Sequence, residues 1–217
     1  MSAGTRPDRQ ITGEGPVALS AALAELRTVA CGDVIVFDLE YTSWPGSLER
    51  EWSGSNEHRE VIQIGAVRIT GYPDFAERDA FACLVRPNIN PALSEHVQVL
   101  TGIRQADIDA YGLNYADAQA RFFNFSADTV AFLSNGNDAA VLAENAALNG
   151  LPDPRACHRF LNVRPLLGAA LGRLNRSFSS ADLNALTGAP AAGRAHDGLA
   201  DARAVAAALA WAVRRGN

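Results

Sequence analysis

The sequence predicts an α/β fold in which a mixed β-sheet is flanked by helices. Apolar runs rich in β-branched and aromatic residues follow one another between residues 33 and 87, which indicates a meander of three antiparallel strands. Helical patterns dominate after Pro91, but another apolar run interrupts them at residues 129–134. Antiparallel strands followed by alternating helix and strand are typical of a mixed sheet with helices packed against it.

Each element follows from its local pattern. The predicted strands cover residues 33–40, 60–69, 79–87 and 129–134, and a long loop rich in Ser, Gly and Glu covers residues 42–58. Helices are predicted at residues 17–28, 91–100, 104–110, 115–125, 137–149, 161–172, 179–188 and 198–215. Residues 1–15 show no periodicity, so we expect a loose tail there.

The composition predicts one sizeable domain. Of 217 residues, 48% are hydrophobic and 20% are charged, which is ordinary for a globular protein with a real core. We expect a tail and a short helix at residues 1–30 and a single domain at residues 31–217. The net charge of −5 does not indicate a broadly basic nucleic-acid surface, so a polyanionic ligand would need local arginines or bound metal.

Cysteine usage and hydropathy favour a protein of a reducing compartment. Cys31, Cys83 and Cys157 are widely spaced and form no CxxC pair, so neither a zinc site nor a disulfide framework is indicated. The early apolar stretch is interrupted by Glu25 and has no clear cleavage site. No apolar run approaches the roughly 18 residues of a membrane span. We therefore expect a cytoplasmic protein without a membrane partner.

Two carboxylates, Asp38 and Glu40, stand at the end of the first predicted strand. Side chains alternate along a strand, so both acids point to the same face. Two carboxylates at so short a distance repel each other unless a cation neutralises them. Hard oxygen ligands of this kind suit Mg²⁺ or Mn²⁺. The alternative is that the strand end emerges into water and both acids are solvated.

A third acid, Asp138, follows an Asn-Gly-Asn turn at the start of a predicted helix. It could act as a helix cap, worth roughly 0.5–2 kcal/mol. It also follows a predicted strand directly, and such strand-to-helix junctions are where ligands gather in open sheets. Asp138 is therefore a candidate metal ligand. Asp128 is the fallback for this role, although it precedes the strand.

The stretch HDGLAD places His196 just before the C-terminal helix and Asp201 in its first turns. The helix macrodipole favours an acid at this end, and Asp197 is the natural cap. Taken alone, His196 could be a neighbour of the cap or a half-buried core group. Together with Asp38, Glu40 and Asp138, however, His196 and Asp201 could complete a metal-binding site.

Taken in order, the motifs resemble those of the DEDDh 3′–5′ exonuclease superfamily, which has a ribonuclease H-like fold. FDLE at residues 37–40 matches the first motif, Asp138 the aspartate that heads a helix, and HDGLAD at 196–201 the third motif. The similarity covers residues 33–215 and extends to the branch of RNA-trimming exonucleases related to the histone-mRNA 3′ exonuclease. The stretches that carry it are VIQIGAV (61–67), LVRPNINPALSEHVQVLTGIRQADID (84–109), LNVRPLL (161–167) and HDGLADAR (196–203).

The resemblance implies a five-stranded sheet, in which parallel strands follow the three antiparallel ones, and a metal-dependent exonuclease. Its substrate would be the 3′ end of single-stranded nucleic acid, RNA favoured over DNA, and its product nucleoside 5′-monophosphates. It implies two ions, Mg²⁺ or Mn²⁺, about 3.5–4 Å apart. Asp38 would contact both ions. Glu40 and Asp201 would bind the first and Asp138 the second, while His196, with an unperturbed pKa of about 6.5, would take the proton from the attacking water.

For the terminal nucleotide, the resemblance implicates Leu39, Tyr41, Thr42, Leu100 and Thr101. The loop after Glu40 is longer than is usual in the superfamily, and its Trp44 and Trp52 could stack on bases or pin the loop to the body. Arg164 and Arg203 could meet phosphates or simply face water.

Three other functions remain open at the level of the sequence. One is a catalytically silent nucleic-acid-binding module of the same fold, although the complete set of acids and the histidine argues against it. Another is an all-helical metal phosphohydrolase that uses the His196–Asp197 pair, which the predicted strands oppose. The third is a DNA proofreading subunit associated with a polymerase. The sequence does not decide between a monomer and a homodimer.

Overall fold

The protein is seen in a computed structural model that describes residues 16–174 and 178–216. The tail predicted at residues 1–15 lies outside the described residues. The strands are β1 (Val34–Tyr41), β2 (Val61–Ile69), β3 (Glu77–Leu84), β4 (Phe132–Ser134) and β5 (Phe160–Asn162). The helices are α1 (Pro16–Val29), α2 (Glu95–Thr101), α3 (Gln105–Tyr111), α4 (Tyr115–Phe125), α5 (Asp138–Leu148), α6 (Arg164–Leu171), α7 (Leu183–Thr187) and α8 (Gly198–Gly216), with a 3₁₀ turn at Pro154–Ala156.

The strands form one five-stranded mixed sheet in the order β3-β2-β1-β4-β5. The β1–β2 and β2–β3 pairs are antiparallel, and the β1–β4 and β4–β5 pairs are parallel. This confirms the predicted α/β fold and rules out the all-helical phosphohydrolase. None of the described helices is both long and apolar enough to cross a membrane.

One local prediction is wrong. The pattern assigned residues 161–172 to a helix, whereas Leu161 and Asn162 belong to β5 and pair with Leu133 and Ser134 of β4. The helix begins only at Arg164. A strand of three residues is too short to display an alternating pattern, so the helical periodicity that follows it dominated the interpretation.

Strand β1 contributes to a different core on each face of the sheet. Val34 and Val36 are buried against the helices α1, α6 and α8, while Ile35 and Phe37 are buried against α4 and α5. The side chains alternate as a strand requires. On the face that carries the two valines, the next side chains are the carboxylates, so the acids lie beyond the apolar core at the carboxyl end of β1.

Helix α8 approaches the sheet at a point that only glycine permits. A Cβ atom on Gly65 of β2 would lie 2.0 Å from the backbone carbon of Gly198, the first residue of α8. Gly65 is also the antiparallel partner of Asp38 in β1. The missing side chain therefore lets the N-terminus of α8 reach the strand that bears the acids.

Helix α1 packs against the domain as one of its layers. Leu23, Leu26 and Val29 are buried in the same core cluster as the α8 and β1 residues. Residues on both sides of the boundary predicted at residue 30 therefore belong to one hydrophobic core.

We expect Leu26→Ala to lower the free energy of unfolding by about 2–5 kcal/mol, because Leu26 is fully buried and its loss leaves a cavity. Urea denaturation measures this change. Leu148→Ala, at a leucine that is 43% exposed, is the matched control and should cost less than about 1 kcal/mol. Equal effects of the two changes would mean that α1 is not part of the cooperative core.

Candidate active site

A groove of about 660 Å³ opens at the carboxyl ends of β1 and β4, and the acids and the histidine predicted from the sequence line it. Strand β1 contributes two of them, the start of α5 contributes one, and the N-terminal end of α8 contributes the remaining two. These residues are Asp38, Glu40, Asp138, His196 and Asp201. Segments up to 163 residues apart in the chain, from Asp38 to Asp201, therefore share one site. The alternative fallback, Asp128, is exposed and does not line the groove.

The strand acids are buried rather than solvated. Asp38 is 9% exposed, Glu40 7% and Asp201 5%. Burial raises the pKa of Glu40 to about 8, and repulsion from Asp201 adds to the shift. Burial likewise raises the pKa of Asp201 to about 7. These carboxylates are costly in their charged form without a compensating cation.

The acids form two interacting pairs. After burial itself, the largest contribution to the raised pKa of Asp38 is repulsion from Asp138, ahead of Glu40 and Asp201. For Glu40 the largest contribution after burial is repulsion from Asp201. Negative charge is therefore concentrated at two neighbouring points of the groove, one near Asp38 and Asp138 and the other near Glu40 and Asp201.

One of these points has the donor geometry of a cation site. Among the described residues, ligand atoms of Glu40, His196 and Asp201 all lie within 4.8 Å of one another. The two carboxylate oxygens could hold a divalent ion, and the imidazole nitrogen would then lie beside it.

Asp138 is the first residue of α5, and Asn137 occupies the cap position without a side-chain capping bond. Asp138 therefore does not act as the cap of α5. Burial raises the pKa of Asp138 to about 6, while hydrogen bonds to its carboxylate, including those from the Ser134 side chain and the Leu39 backbone, oppose the shift. The side chain is thus held against the strand that bears Asp38.

His196 is held in place by the helix that follows it. Its backbone, at a φ of 57°, lies in the left-handed region, and its N–H donates to Asp201 Oδ2 at 3.2 Å. Asp197 caps the helix, because its Oδ1 accepts from Ala200 N at 3.0 Å. Burial lowers the pKa of the His196 imidazole, against the attraction of Asp182. Burial therefore favours the neutral form of the ring.

Two polar residues of the site escaped the sequence analysis. The Ser180 hydroxyl donates to Asp38 Oδ1 at 2.8 Å, and Asn135 Nδ2 donates to Ser180 Oγ at 3.4 Å. Asn135 Oδ1 is buried and has no hydrogen-bond partner among the described residues. Their sequence contexts were interpreted only as a helix start and a turn, and nothing in them indicates contact with a strand 142 residues away.

The residues predicted to meet the terminal nucleotide divide into two groups. Leu39, Tyr41 and Leu100 line the groove. Thr42 and Thr101 do not, and both are buried. The Thr42 hydroxyl donates to His58 O at 2.6 Å, and that of Thr101 donates to Val97 O at 2.8 Å. Both hydroxyls serve the local structure.

The two candidate arginines also differ. Arg164 lines the groove, where its Nη2 donates to Asn135 O at 2.7 Å. Arg203 lies outside the groove and pairs with Glu77 at 2.8 Å. Arg164 is therefore the one available to a ligand in the site.

Solved structures share the fold. A 3′-exonuclease, in a structure that concerns 3′-end specific recognition of histone mRNA stem-loop, matches with a TM-score of 0.68 and 23% identity over 84% of this chain and 63% of its own. The nuclease domain of 3′hExo, a DEDDh family member bound to rAMP, matches with a TM-score of 0.62 and 21% identity over 84% and 90% of the two chains.

A third match is E. coli Exonuclease I in complex with a dT13 oligonucleotide, with a TM-score of 0.60 and 18% identity over 81% of this chain and 40% of that one. The chain thus spans less than two thirds of the first and third of these proteins. At such identities the likeness shows the fold. No curated protein matches the chain in sequence.

The sequence model of an exonuclease family, RNase_T, matches residues 35–209. This span holds nearly the whole sheet and all five predicted site residues, and it confirms that the motifs belong to an exonuclease. The chain belongs to the RNase_T family of exonucleases.

Proposed function

We propose that this exonuclease works in the 3′–5′ direction, is metal-dependent, and releases nucleoside 5′-monophosphates from single-stranded nucleic acid, RNA favoured over DNA. The observation that carries the proposal is the convergence of four acids and a neutral imidazole in one groove. The preference for RNA is supported by neighbours whose structures concern histone mRNA and rAMP. The dT13 complex of a more distant neighbour makes DNA the competing substrate.

The donor set fits divalent cations. Buried carboxylates with raised pKa values repel one another, and Asn135 Oδ1 adds a buried oxygen without a partner among the described residues. Hard oxygen ligands of this kind suit Mg²⁺ or Mn²⁺. Two ions would be held by these carboxylates, the first by Glu40 and Asp201 and the second by Asp138, and Asp38 would contribute to both sites.

When bound, such ions supply charge that lowers the pKa of a water molecule and stabilises the leaving oxygen of a phosphodiester. The chain itself supplies the base. His196 is neutral because burial lowers its pKa, and its nitrogen lies beside Glu40 and Asp201. It can therefore accept the proton of the attacking water.

The remaining walls of the groove would position the substrate. Arg164 offers a guanidinium to a phosphate, since its position is fixed by two hydrogen bonds to the Asn135 carbonyl. Leu100, which is 37% exposed, offers an apolar edge to the terminal bases. A net-negative protein can in this way bind the end of a polyanion through a few local contacts.

The first test is digestion of matched RNA and DNA strands of one sequence, labelled at the 5′ end and supplied with Mn²⁺. We expect stepwise shortening from the 3′ end, faster for RNA, with mononucleotide as the product. Asp138→Asn should reduce the rate by at least about 100-fold, because it removes charge at a proposed ion. Asp128→Asn, at the exposed acid outside the groove, is the control and should keep the rate.

Internal cleavage products, or digestion that a 3′-phosphate does not impede, would contradict the proposed direction. Equal losses in the two aspartate variants would remove Asp138 from the proposed ligand set.

His196→Ala should lower single-turnover cleavage by about 10²–10⁴-fold, the usual contribution of a general base. Binding of a labelled RNA end should change little, because the acids remain. Single-turnover kinetics and fluorescence anisotropy at pH 8 separate the two effects. If the variant retains nearly the full rate at that pH, His196 is not the base.

The metal-free protein should lose stability as the pH rises from 7 to 8.5. Unfolded carboxyl groups titrate near pH 4, whereas the pKa of Asp201 is about 7 and that of Glu40 about 8 in the folded protein. In this window the folded state still holds protons that the unfolded state has already lost, so stability falls until the two carboxyl groups have ionised. We expect Tm in EDTA to drop by about 3–7 °C.

Asp201→Asn should flatten this pH dependence, because it removes one repelling charge, and saturating Mn²⁺ should abolish it. A Tm in EDTA that stays constant or rises over the same window would mean that the acids are not held at raised pKa values.

A further inference from the structure

The two tryptophans of the loop at residues 42–58 have different surroundings. Trp52 is engaged on three sides: its indole N–H donates to Thr42 O at 3.0 Å, its ring meets Tyr41 edge-on at 5.5 Å, and Arg59 lies over its face at 5.6 Å. Both tryptophans line the groove and are partly buried. The indole N–H of Trp44, however, has no hydrogen-bond partner within the described part of the chain. Trp52 thus anchors the loop, and Trp44 is left open.

The backbone of Trp44 is nevertheless rigidly placed. Its N–H donates to Ser47 Oγ at 2.8 Å, and its carbonyl accepts from Ser47 N at 3.0 Å. Ser47 is itself 1% exposed. Because the backbone is fixed in advance, only the side-chain torsions of Trp44 need to be ordered when a ligand binds, which lowers the entropic cost of binding.

Next to it, Ser43 carries a hydroxyl with no assigned role. The side chain lines the groove and is 8% exposed, yet its Oγ has no hydrogen-bond partner among the described residues. Its carbonyl is already used, because it accepts from Ser94 Oγ at 2.5 Å. A buried hydroxyl without a partner is unfavourable, which points to a ligand that supplies the missing partner.

The chemistry of this wall suits a base rather than a phosphate. Arg50 is paired with Glu57 within the loop, and Glu49 brings negative charge to the groove. Leu48, 73% exposed, adds an apolar surface beside Trp44. Aromatic rings stack on bases of any sequence.

We propose that Trp44 stacks on a nucleobase among the last three nucleotides of the single-stranded substrate, and that the Ser43 hydroxyl hydrogen-bonds to the same nucleotide. The proposal rests on the proposed function and adds to it a specificity wall built by the long loop.

The test combines a variant with deletion of single bases. Trp44→Leu should raise KM for a ten-nucleotide RNA by on the order of 5- to 150-fold, and Trp44→Phe should restore part of the loss. Strands with one abasic site at each of the last three positions are then compared. At one position the abasic strand should show the same KM with wild-type and Trp44→Leu protein. An unchanged KM in Trp44→Leu would overturn the proposal. So would a KM that is higher for Trp44→Leu than for wild-type protein on all three abasic strands.

A second readout does not need turnover. Addition of oligouridylate with Mg²⁺ to His196→Ala protein should quench tryptophan fluorescence. The quench should be lost in the double variant with Trp44→Leu and kept with Trp211→Phe, because Trp211 lies on α8 under Arg215 and does not line the groove. Quenching by Trp44, combined with a wild-type protein that cleaves no strand, would leave this proposal standing and refute the proposed catalysis. Cleavage by the wild-type protein without quenching by Trp44 would refute this proposal and leave the proposed catalysis standing.

Ser43→Ala separates binding from folding. Because Ser43 Oγ makes no hydrogen bond within the described residues, its removal should leave Tm unchanged or slightly higher. KM for the same RNA should rise by about 2- to 10-fold. A lowered Tm with an unchanged KM would show that the hydroxyl serves the fold and refute its role in the subsite.

Discussion

The structure depends on the burial of several like charges in one groove. Asp38, Glu40 and Asp201 are each at least nine-tenths buried, and burial together with repulsion from neighbouring acids raises their pKa values. A folded protein keeps such a site only where the rest of the structure over-determines it. Here the strand register, the start of α5 and the start of α8 each fix one part of the acid cluster.

Close backbone approach is what makes this arrangement possible. Gly65 and Gly198 let the first turn of α8 lie on the strand next to Asp38. Gln63 then ties the two together, since its Oε1 accepts from Gly198 N at 2.8 Å and its Nε2 donates to Asp197 Oδ2 at 3.3 Å. The imidazole and the last acid are thus positioned by the sheet itself, as a site on rigid elements requires.

The long loop after β1, at residues 42–58, differs from the elements that carry the acids. It contributes none of the four candidate acids, and its own polar groups hold it in place. Sequence changes in it can therefore alter the groove without disturbing the acid cluster. Both of its tryptophans line the groove, but only Trp52 is held by a hydrogen bond and ring contacts.

The sequence by itself predicted the sheet, most of its helices and a set of candidate acids, which the structure places along one groove. Alternation in β1 fixed the common face of Asp38 and Glu40, and the order of the motifs indicated the superfamily. Only the tertiary structure revealed the position of the fifth strand, the hydrogen bonds that link Asn135 through Ser180 to Asp38, and the positions of Thr42 and Thr101 outside the groove. The physical reason is that periodicity reports which face of an element is buried, whereas a hydrogen bond between residues 142 positions apart depends on how the elements pack.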